Sequence, residues 1–293
     1  MKMASKPNLL MVDSSHFEVS YVINPWMKPG AWSENPQGHY RAAQAASATL
    51  HEALAAAGAQ VMMMPGAPGL PDMVFPANAA VVLDRRALVA RFRCTERRGE
   101  EPLFLKAFQS FRARGLLDEV AQYPENCFQE GAGDAIWDDT RQLLWCGYGQ
   151  RSVKESLKVT RDFFSTAVVP LELVSPRFYH LDTCFLVLSG GEVVYYPPAF
   201  SDEGKAQMRA VAGKDNLIEA SDEDAAGFCV NAVNFGREIV MARPKDGLRA
   251  RLAERGYHVT GVDLDPFILS GGGAYCMTLR LNRETAAVAA AAE

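Results

Sequence analysis

The chain has 293 residues, of which 48% are hydrophobic, 10% aromatic and 22% charged, and these values are ordinary for a globular protein with a sizeable core. The net charge of −5 argues against nucleic acid as a partner, because proteins that bind phosphate backbones usually carry a basic excess. No run of about 18 apolar residues occurs, so neither a membrane span nor a membrane partner is predicted.

The beginning of the chain and its cysteines predict a cytoplasmic protein. Residues 1–8 are polar and lack the apolar core of a signal peptide, which favours a reducing compartment. The six cysteines are widely scattered and form no CxxC pair, so neither a zinc site nor a disulfide framework is predicted. Five of them are interpreted as small buried apolar residues, and Cys276 is the exception.

The first predicted elements are a helix and three strands. Residues 41–57 are rich in Ala, Leu and Gln and predict a helix that ends at Gly58, with a short strand at 61–64 after it. Strands at 79–83 and 87–92 are predicted on either side of a charged turn. A helix at 101–114 follows.

The same order then recurs along the chain. A hairpin is predicted around residues 138–140, and Ser152 with Glu155 gives a capping-box pattern for a helix at 152–164. A second hairpin surrounds residues 189–191. The remaining predictions are strands at 168–174, 238–242 and 276–281 and helices at 201–211 and 246–255, with Ser201 as an N-cap.

The order strand–strand–helix–strand repeats about every 50–60 residues, a period typical of radial or stacked architectures. No long linker interrupts it, so we expect a single catalytic domain over residues 1–283 and an Ala-rich tail over 284–293. The oligomeric state is left open, and a homo-oligomer is one of the alternatives.

Cys276 follows the glycine run at 271–273. Glycines permit positive φ and a close approach of backbone to a ligand, so a cysteine after them can lie at the rim of a pocket. The alternative is a tight turn before a strand, with a buried structural cysteine. The spacing alone does not separate the two interpretations.

His180 and Asp182 form a second candidate pair. If this segment is a strand, residues two apart face the same side. A histidine beside a carboxylate is a plausible general acid and base, because its pKa lies near neutrality. The alternative is a hydrogen-bonded histidine at the end of a strand.

Four further positions are weaker candidates when each is taken alone. Glu130 and Asp134 bracket a glycine-rich loop, and two acids around small residues can hold a cation or orient a histidine. Arg97 and Arg151 lie in polar loops and could pair bidentately with a carboxylate, although a surface salt bridge is the usual role of such residues. Nothing resembles a phosphate loop, a dinucleotide fingerprint or a metal motif.

Seven segments, taken together and in chain order, resemble the guanidine-modifying superfamily. Its members include arginine deiminases, dimethylarginine dimethylaminohydrolases, amidinotransferases and arginine dihydrolases. The segments are 24–27, 75–78, 96–100, 130–134, 147–152, 180–183, and 271–273 with Cys276. They extend over almost the whole chain, and the resemblance is nearest to the arginine dihydrolases.

The resemblance implies an α/β fold, namely a five-bladed α/β propeller, or pentein, of ββαβ repeats around a central active site. It implies Cys276 as the nucleophile, His180 as the general acid and base, and Glu130 as the carboxylate that orients the histidine. The implied substrate-binding residues are Asn78, Asp134, Asp182, Arg97 and Arg151, with the two arginines holding the substrate α-carboxylate.

The implied reaction is covalent. The thiolate adds to the guanidine carbon, His180 protonates the leaving nitrogen, and water then hydrolyses an S-alkylthiouronium intermediate. The positive substrate itself favours the thiolate, so Cys276 need not be ionised in the free protein. The only partner implied is a small arginine-like molecule, and no metal or organic cofactor is needed.

Two departures within the superfamily bear on the substrate. Dimethylarginine hydrolases typically carry a lysine where this chain has Asp182, which favours an unmethylated guanidine. Deiminases and dimethylarginine hydrolases usually carry an aspartate where this chain has Asn78, and the arginine dihydrolases resemble this chain in having an asparagine. We therefore expect arginine to be converted into ornithine, carbon dioxide and two ammonia.

Several alternatives stay open. A deiminase or a dimethylarginine dimethylaminohydrolase would stop at citrulline, and an amidinotransferase would use an amine in place of water. A non-catalytic arginine-binding propeller is the alternative of another class, although the Cys–His–Glu set weighs against it. The segment 13–30 is either a mobile lid or a fixed loop.

Overall fold

Five separate three-stranded sheets make up the fold of residues 6–291, the part of the chain that the computed structural model describes. The strands are β1 Asn8–Val12, β2 Gln60–Met64, β3 Ala80–Leu83, β4 Arg86–Val89, β5 Glu119–Gln122, β6 Ala135–Asp138, β7 Leu143–Tyr148, β8 Ala167–Glu172, β9 Phe185–Val187, β10 Val193–Tyr195, β11 Leu217–Glu219, β12 Val233–Phe235, β13 Glu238–Ala242, β14 His258–Val262 and β15 Leu279–Arg280.

All five sheets share one topology. In β3-β4-β5 the first two strands form an antiparallel hairpin and the third lies parallel to the middle strand. The sheets β6-β7-β8, β9-β10-β11 and β12-β13-β14 repeat this pattern, and the last sheet has the order β15-β1-β2. Strand β15 pairs antiparallel with β1, so the end of the chain completes the sheet that the beginning started. This arrangement confirms the predicted five-bladed α/β propeller.

Helices provide the crossovers that the parallel strand pairs require. In each of the five sheets, at least one helix joins the middle strand to the outer strand. The helices are α1 Pro29–Glu34, α2 Pro36–Ala56, α3 Glu100–Ala113, α4 Ser156–Phe164, α5 Asp202–Ala212, α6 Asp222–Ala226, α7 Asp246–Glu254, α8 Asp265–Ile268 and α9 Ala286–Ala291. No helix within residues 6–291 is long and apolar enough to cross a membrane.

Helical periodicity explains how each crossover packs. In α3 the buried side chains Phe104, Phe108 and Phe111 recur at intervals of four and three residues, which places them on one face toward the sheet. Each such burial contributes about 1.5–3 kcal/mol relative to an exposed side chain. Helix α5 begins as predicted, because the Ser201 side chain accepts a hydrogen bond from the Gly204 amide.

Two local predictions are wrong. Helix α4 begins at Ser156 with Glu155 as its N-cap residue, because the Ser152 hydroxyl is bonded to Asp134 instead. Cys276 does not begin a strand: it lies in a turn at 274–277, and β15 starts three residues later. The turn is closed by a bond from the Met277 amide to the Gly273 carbonyl.

The extent of the predicted domain and tail stays a prediction. Helix α9 lies within the predicted tail. Residues 1–5 of the predicted domain and residues 292–293 of the predicted tail lie outside the described residues.

Candidate active site

The innermost strand of every sheet begins just after a polar residue. The five residues are Asn78, Asp134, Asp182, Asn231 and Cys276, which precede β3, β6, β9, β12 and β15 by one to three positions. Because the five inner strands surround a common axis, these side chains meet at one end of it. None is more than 2% exposed, so a substrate can reach them only after part of the protein moves.

Cys276 is held by side chains from two other blades. Its thiol donates a hydrogen bond to Asp182 Oδ2, with Sγ and Oδ2 3.1 Å apart. Asn231 Nδ2 donates to Sγ at 3.1 Å, and Asn231 Oδ1 accepts from the amides of Tyr275 and Cys276, both at 3.1 Å. Burial and the charge of Asp182 raise the pKa of the Cys276 thiol well above its ordinary value. In this closed state the thiol is therefore protonated.

The glycine run before Cys276 is required by close packing. Gly271 has φ of +86°, in the region that favours glycine. A Cβ at Gly272 would lie 2.1 Å from the Phe75 ring, and one at Gly273 would lie 2.9 Å from Asn231 Oδ1. The run thus lets the cysteine turn approach Asn231 closely enough for the bonds described above.

His180 is oriented by Glu130. Its Nε2 lies 2.7 Å from Glu130 Oε2, and its Nδ1 lies 3.4 Å from Asn78 Nδ2. Because the Asn78 amide nitrogen can only donate, the network assigns the ring proton to Nε2 and leaves Nδ1 as an acceptor.

Glu130 is held as an anion. It accepts hydrogen bonds from Arg151 at 3.0 Å and from the backbone amide of Arg93 at 3.1 Å, besides its contact with His180. Burial alone would raise the pKa of Glu130, but Arg151 and His180 outweigh burial and hold it well below its ordinary value. An ionised Glu130 stabilises the protonated form of His180.

His180 and Asp182 do not share a strand face, contrary to the sequence argument. Residues 181–183 form a short 3₁₀ turn, so His180 points to Glu130 whereas Asp182 points to Cys276. Asp182 Oδ1 is buried and has no hydrogen-bond partner within residues 6–291. Burial raises the pKa of Asp182 to about 7.

Asp134 holds the loops that carry His180 and Glu130. Its Oδ1 accepts from the Leu181 amide at 2.9 Å, and its Oδ2 accepts from the Ser152 hydroxyl at 2.6 Å. Ser152 Oγ in turn accepts from the Glu130 amide at 3.1 Å. Burial raises the pKa of Asp134 to about 6. Asp134 therefore links the loops that carry His180 and Glu130. Its predicted role in substrate binding stays a prediction.

Both predicted arginines are paired with protein carboxylates in this closed structure. Arg97 makes two 2.8 Å bonds to Glu100 and donates to Asn78 Oδ1 at 2.7 Å. Arg151 pairs with Glu130 and stacks on Tyr179, with its guanidinium carbon 4.7 Å from the ring centroid. The predicted role of both in binding a substrate α-carboxylate stays a prediction.

A loop from the first blade is docked over this end of the axis. The Ile23 carbonyl accepts from Arg151 at 2.9 Å, and Asn24 Nδ2 donates to the Ser270 carbonyl at 3.0 Å. Trp26 Nε1 donates to the Arg177 carbonyl at 2.6 Å. The loop therefore bonds to residues of other blades at three points, and it belongs to the segment whose mobility the sequence left open.

The family model described as N,N dimethylarginine dimethylhydrolase, eukaryotic, matches residues 20–283 of the chain. The chain belongs to this family. The match includes all of the predicted site residues, from Asn78 to Cys276.

Relatives of this family member include both hydrolase types. The bifunctional arginine dihydrolase/ornithine cyclodeaminase ArgZ of Synechocystis is 39% identical over 95% of the chain and 38% of its own length. The chain thus spans about two fifths of that relative. The N(G),N(G)-dimethylarginine dimethylaminohydrolase of Mycobacterium tuberculosis is 35% identical over 93% of the chain and 85% of its own length.

A solved structure agrees with these relatives. The product-bound N-terminal domain of ArgZ, described as an arginine dihydrolase from the ornithine-ammonia cycle in cyanobacteria, superposes with a TM-score of 0.89 at 38% identity. The match covers 96% of this chain and 99% of that domain. The predicted resemblance to the guanidine-modifying superfamily is thereby confirmed.

Asn231 is the contact of Cys276 in this family member that the sequence did not reveal. It is followed by Ala232 and β12, just as Asn78 is followed by Ala79 and β3. The two asparagines therefore hold equivalent positions in two blades. Comparison of the residues before each inner strand would have found Asn231, but β12 has only three residues and gave no strand pattern.

Proposed function

We propose that the chain hydrolyses the guanidine group of arginine twice, converting arginine and two water molecules into ornithine, carbon dioxide and two ammonia. The single observation that carries this proposal is the contact of Cys276 with Asp182, whose second oxygen is buried and has no hydrogen-bond partner among residues 6–291. A buried carboxylate oxygen of this kind is costly unless a donor meets it, and a guanidinium supplies such donors.

The first cycle begins when the cationic substrate replaces the closed contacts. Its positive charge favours ionisation of both Asp182 and Cys276, which in the closed state share one proton across the 3.1 Å contact. The thiolate forms a bond to the guanidine carbon. The proton of the closed Cys276–Asp182 pair passes to His180 Nδ1. His180 then gives this proton to the terminal nitrogen, which leaves as ammonia, and an S-alkylthiouronium intermediate remains.

Water completes the cycle. His180 Nδ1, the acceptor nitrogen in this structure, takes a proton from the water that attacks the same carbon. The added hydroxyl loses its remaining proton to solvent as the C–S bond breaks, which frees the thiolate and leaves a ureido product. Glu130 stabilises His180 in its protonated state at both steps, because the pKa of Glu130 is held well below its ordinary value.

The second cycle uses the same side chains, Cys276 and His180. The thiolate attacks the ureido carbon, a second ammonia leaves, and water releases the carbamate of ornithine, which loses carbon dioxide. Asn78 supports this cycle because its Nδ2 faces His180 Nδ1 while its Oδ1 accepts from Arg97. An aspartate there would lack the donor and would add a negative charge that holds the cationic substrate in preference to the neutral ureido group.

Dimethylarginine hydrolysis is the second candidate, because the matching family model carries that description. It would release dimethylamine and citrulline. The buried Asp182 Oδ1, which has no partner in the described part of the chain, favours an unmethylated guanidine, since methylation removes donors from the nitrogen that bears it.

Product analysis tests the proposal. Purified protein is given either arginine or asymmetric dimethylarginine, and ammonia, dimethylamine, citrulline and ornithine are quantified over time. We expect two ammonia for each ornithine from arginine and no accumulation of citrulline. Citrulline without ornithine would refute the double hydrolysis, and faster release of dimethylamine than of ammonia would favour the second candidate.

We further propose a cytoplasmic location. All six cysteines are free, as expected for a protein in a reducing compartment. Cell fractionation with detection of the chain tests the location. A homo-oligomer stays a prediction, which sedimentation of the purified protein would test.

A further inference from the structure

A cavity lies at the end of the propeller axis that is opposite to Cys276. The inner strands enclose a narrow apolar channel that begins at Tyr275, the neighbour of Cys276, and is lined by one side of each blade. Beyond the channel, the axis opens into a recess of about 360 Å³. Trp137, Val187 and Phe235 line both the channel and the recess, so the two are continuous.

The side chains that line the recess carry more positive than negative charge. Lys6, Arg280 and Arg283 line it together with a single acid, Asp139. Arg283 is paired with Asp139, with Nη1 and Oδ2 3.2 Å apart. Within residues 6–291, neither Lys6 nor Arg280 lies within ion-pairing distance of a carboxylate.

Arg280 contributes one of the positive charges of the recess that no carboxylate pairs with among residues 6–291. It lies on β15, largely covered, and its guanidinium contacts Asn282 Oδ1 through Nε at 3.4 Å. A guanidinium carries five N–H donors, so a neutral oxygen at this distance satisfies little of it. Burial and the neighbouring Arg283 lower the pKa of Arg280 to about 10. The only acid that acts on Arg280 among the described residues is Asp139, which is already paired with Arg283. A covered cation with so little compensating charge is destabilising, and an anionic ligand would relieve it.

We propose that this recess binds a small organic carboxylate with an apolar body. The carboxylate would pair bidentately with Arg280, which is the geometry that a planar guanidinium favours. The body would pack on Trp137, Val187 and Phe235. Inorganic phosphate fits less well, because the nearby Ser189 amide already donates to Asn234 Oδ1 at 2.7 Å and the walls are largely apolar.

Benzoate tests the proposal, with benzamide as a neutral probe of nearly the same shape and inorganic phosphate as the competing anion. Binding to the full chain is measured by calorimetry and by the shift in melting temperature. We expect benzoate to bind and to raise the melting temperature, and both other probes to bind at least about tenfold more weakly. Equal binding of benzamide, tighter binding of phosphate, or no binding of benzoate would overturn the proposal.

Arg280→Met locates the ligand, because methionine keeps the length of the side chain without its charge. We expect it to weaken benzoate binding by at least about tenfold. The matched control is Arg112→Met on the exposed face of α3, which is expected to bind as the wild type does. Unchanged benzoate affinity in Arg280→Met would remove Arg280 from the site.

Asp139→Asn provides a second test that does not depend on the folding of the first variant. Asparagine can still accept the hydrogen bond from Trp137 Nε1, but the recess loses its acid. We expect tighter benzoate binding and a steeper dependence on salt. Weaker or unchanged binding would overturn the electrostatic part of the proposal.

Discussion

The two ends of the propeller axis are built from opposite ends of the same five strands, and they differ in how their polar groups are satisfied. At the catalytic end, Cys276 is bonded to Asp182 and Asn231 from other blades, and His180 is bonded to Glu130. At the far end, Arg280 has a neutral oxygen at 3.4 Å. The contacts at the Cys276 end therefore shift the pKa of several groups at once, whereas at the far end Arg280 has no carboxylate within ion-pairing distance among residues 6–291.

The two ends of the axis also differ in how open they are to solvent. The catalytic end is closed by the loop that bonds to Arg151, Ser270 and the Arg177 carbonyl, and its reactive groups are almost fully buried. The far end holds a recess of about 360 Å³. Chemistry in a dry pocket requires the first arrangement, because electrostatic interactions there are stronger than in water.

The largest expected effect is at Cys276. We expect Cys276→Ser to lower kcat for ammonia release by about 10⁴-fold or more, because a serine hydroxyl is a far weaker nucleophile. The matched control is Cys127→Ser, since Cys127 is a free and partly exposed cysteine. Ammonia release that continues unchanged in Cys276→Ser would refute the cysteine mechanism.

The second-largest effect on kcat is expected for Glu130→Gln. The change leaves Arg151 buried without its anion and removes the negative charge that stabilises protonated His180. We expect kcat to fall about 10²- to 10³-fold and the free energy of unfolding to fall by about 3–5 kcal/mol. Glu119→Gln, at an exposed pair with Arg86, is the control and is expected to cost less than about 1 kcal/mol. Equal losses in the two variants would contradict this picture.

The same residue predicts a pH dependence of stability. The pKa of Glu130 is depressed in the folded state, so its stabilising contribution is present above the unfolded pKa of about 4.3. The contribution is lost as the pH falls below that value, because the unfolded chain then binds more protons than the folded one. Urea unfolding at a series of pH values should show a smaller loss between pH ~5 and ~3 in Glu130→Gln. If the free energy of unfolding fell in parallel with pH in the wild type and in Glu130→Gln, the depressed pKa of Glu130 would be refuted.

Substitutions of Asn231 test what its contacts contribute to the pKa of the Cys276 thiol and to kcat. Asn231→Asp keeps an oxygen for the amides of Tyr275 and Cys276 but places a negative charge beside Sγ. We expect this charge to raise the pKa of the thiol and to lower kcat about 10²-fold. Alkylation by iodoacetamide across a pH series measures the first effect. Asn231→Ala, which adds no charge, is the comparison, and an identical alkylation profile in both variants would assign Asn231 a purely structural role.

Asn78→Asp is expected to have the smallest effect on arginine consumption, within about tenfold, but to change the products. Added negative charge favours the cationic substrate over the neutral ureido intermediate, so citrulline should accumulate. The ratio of citrulline to ornithine measures this outcome. A variant that still produces ornithine alone would show that the charge at position 78 does not decide between one and two cycles.

The sequence by itself determined most of the local structure. Alternating strands, glycine stops and turn residues gave β3 with β4, β6 with β7, β9 with β10, and the helices between them, because these features depend on neighbours in the chain. Strands β1, β5, β11, β12 and β14 were not predicted. Two of them, β11 and β12, have only three residues each and depend on their partner strands for their structure.

Only the tertiary structure decided which polar groups meet. Ser152 has the pattern of an N-cap, but its hydroxyl bonds to Asp134 from another segment, so α4 begins four residues later. Asn231 reaches Cys276 across 45 positions of the chain. The sequence likewise does not show that Arg280 has no ion-pair partner among residues 6–291. Burial and pairing depend on contacts between blades, and periodicity along one segment carries no information about them.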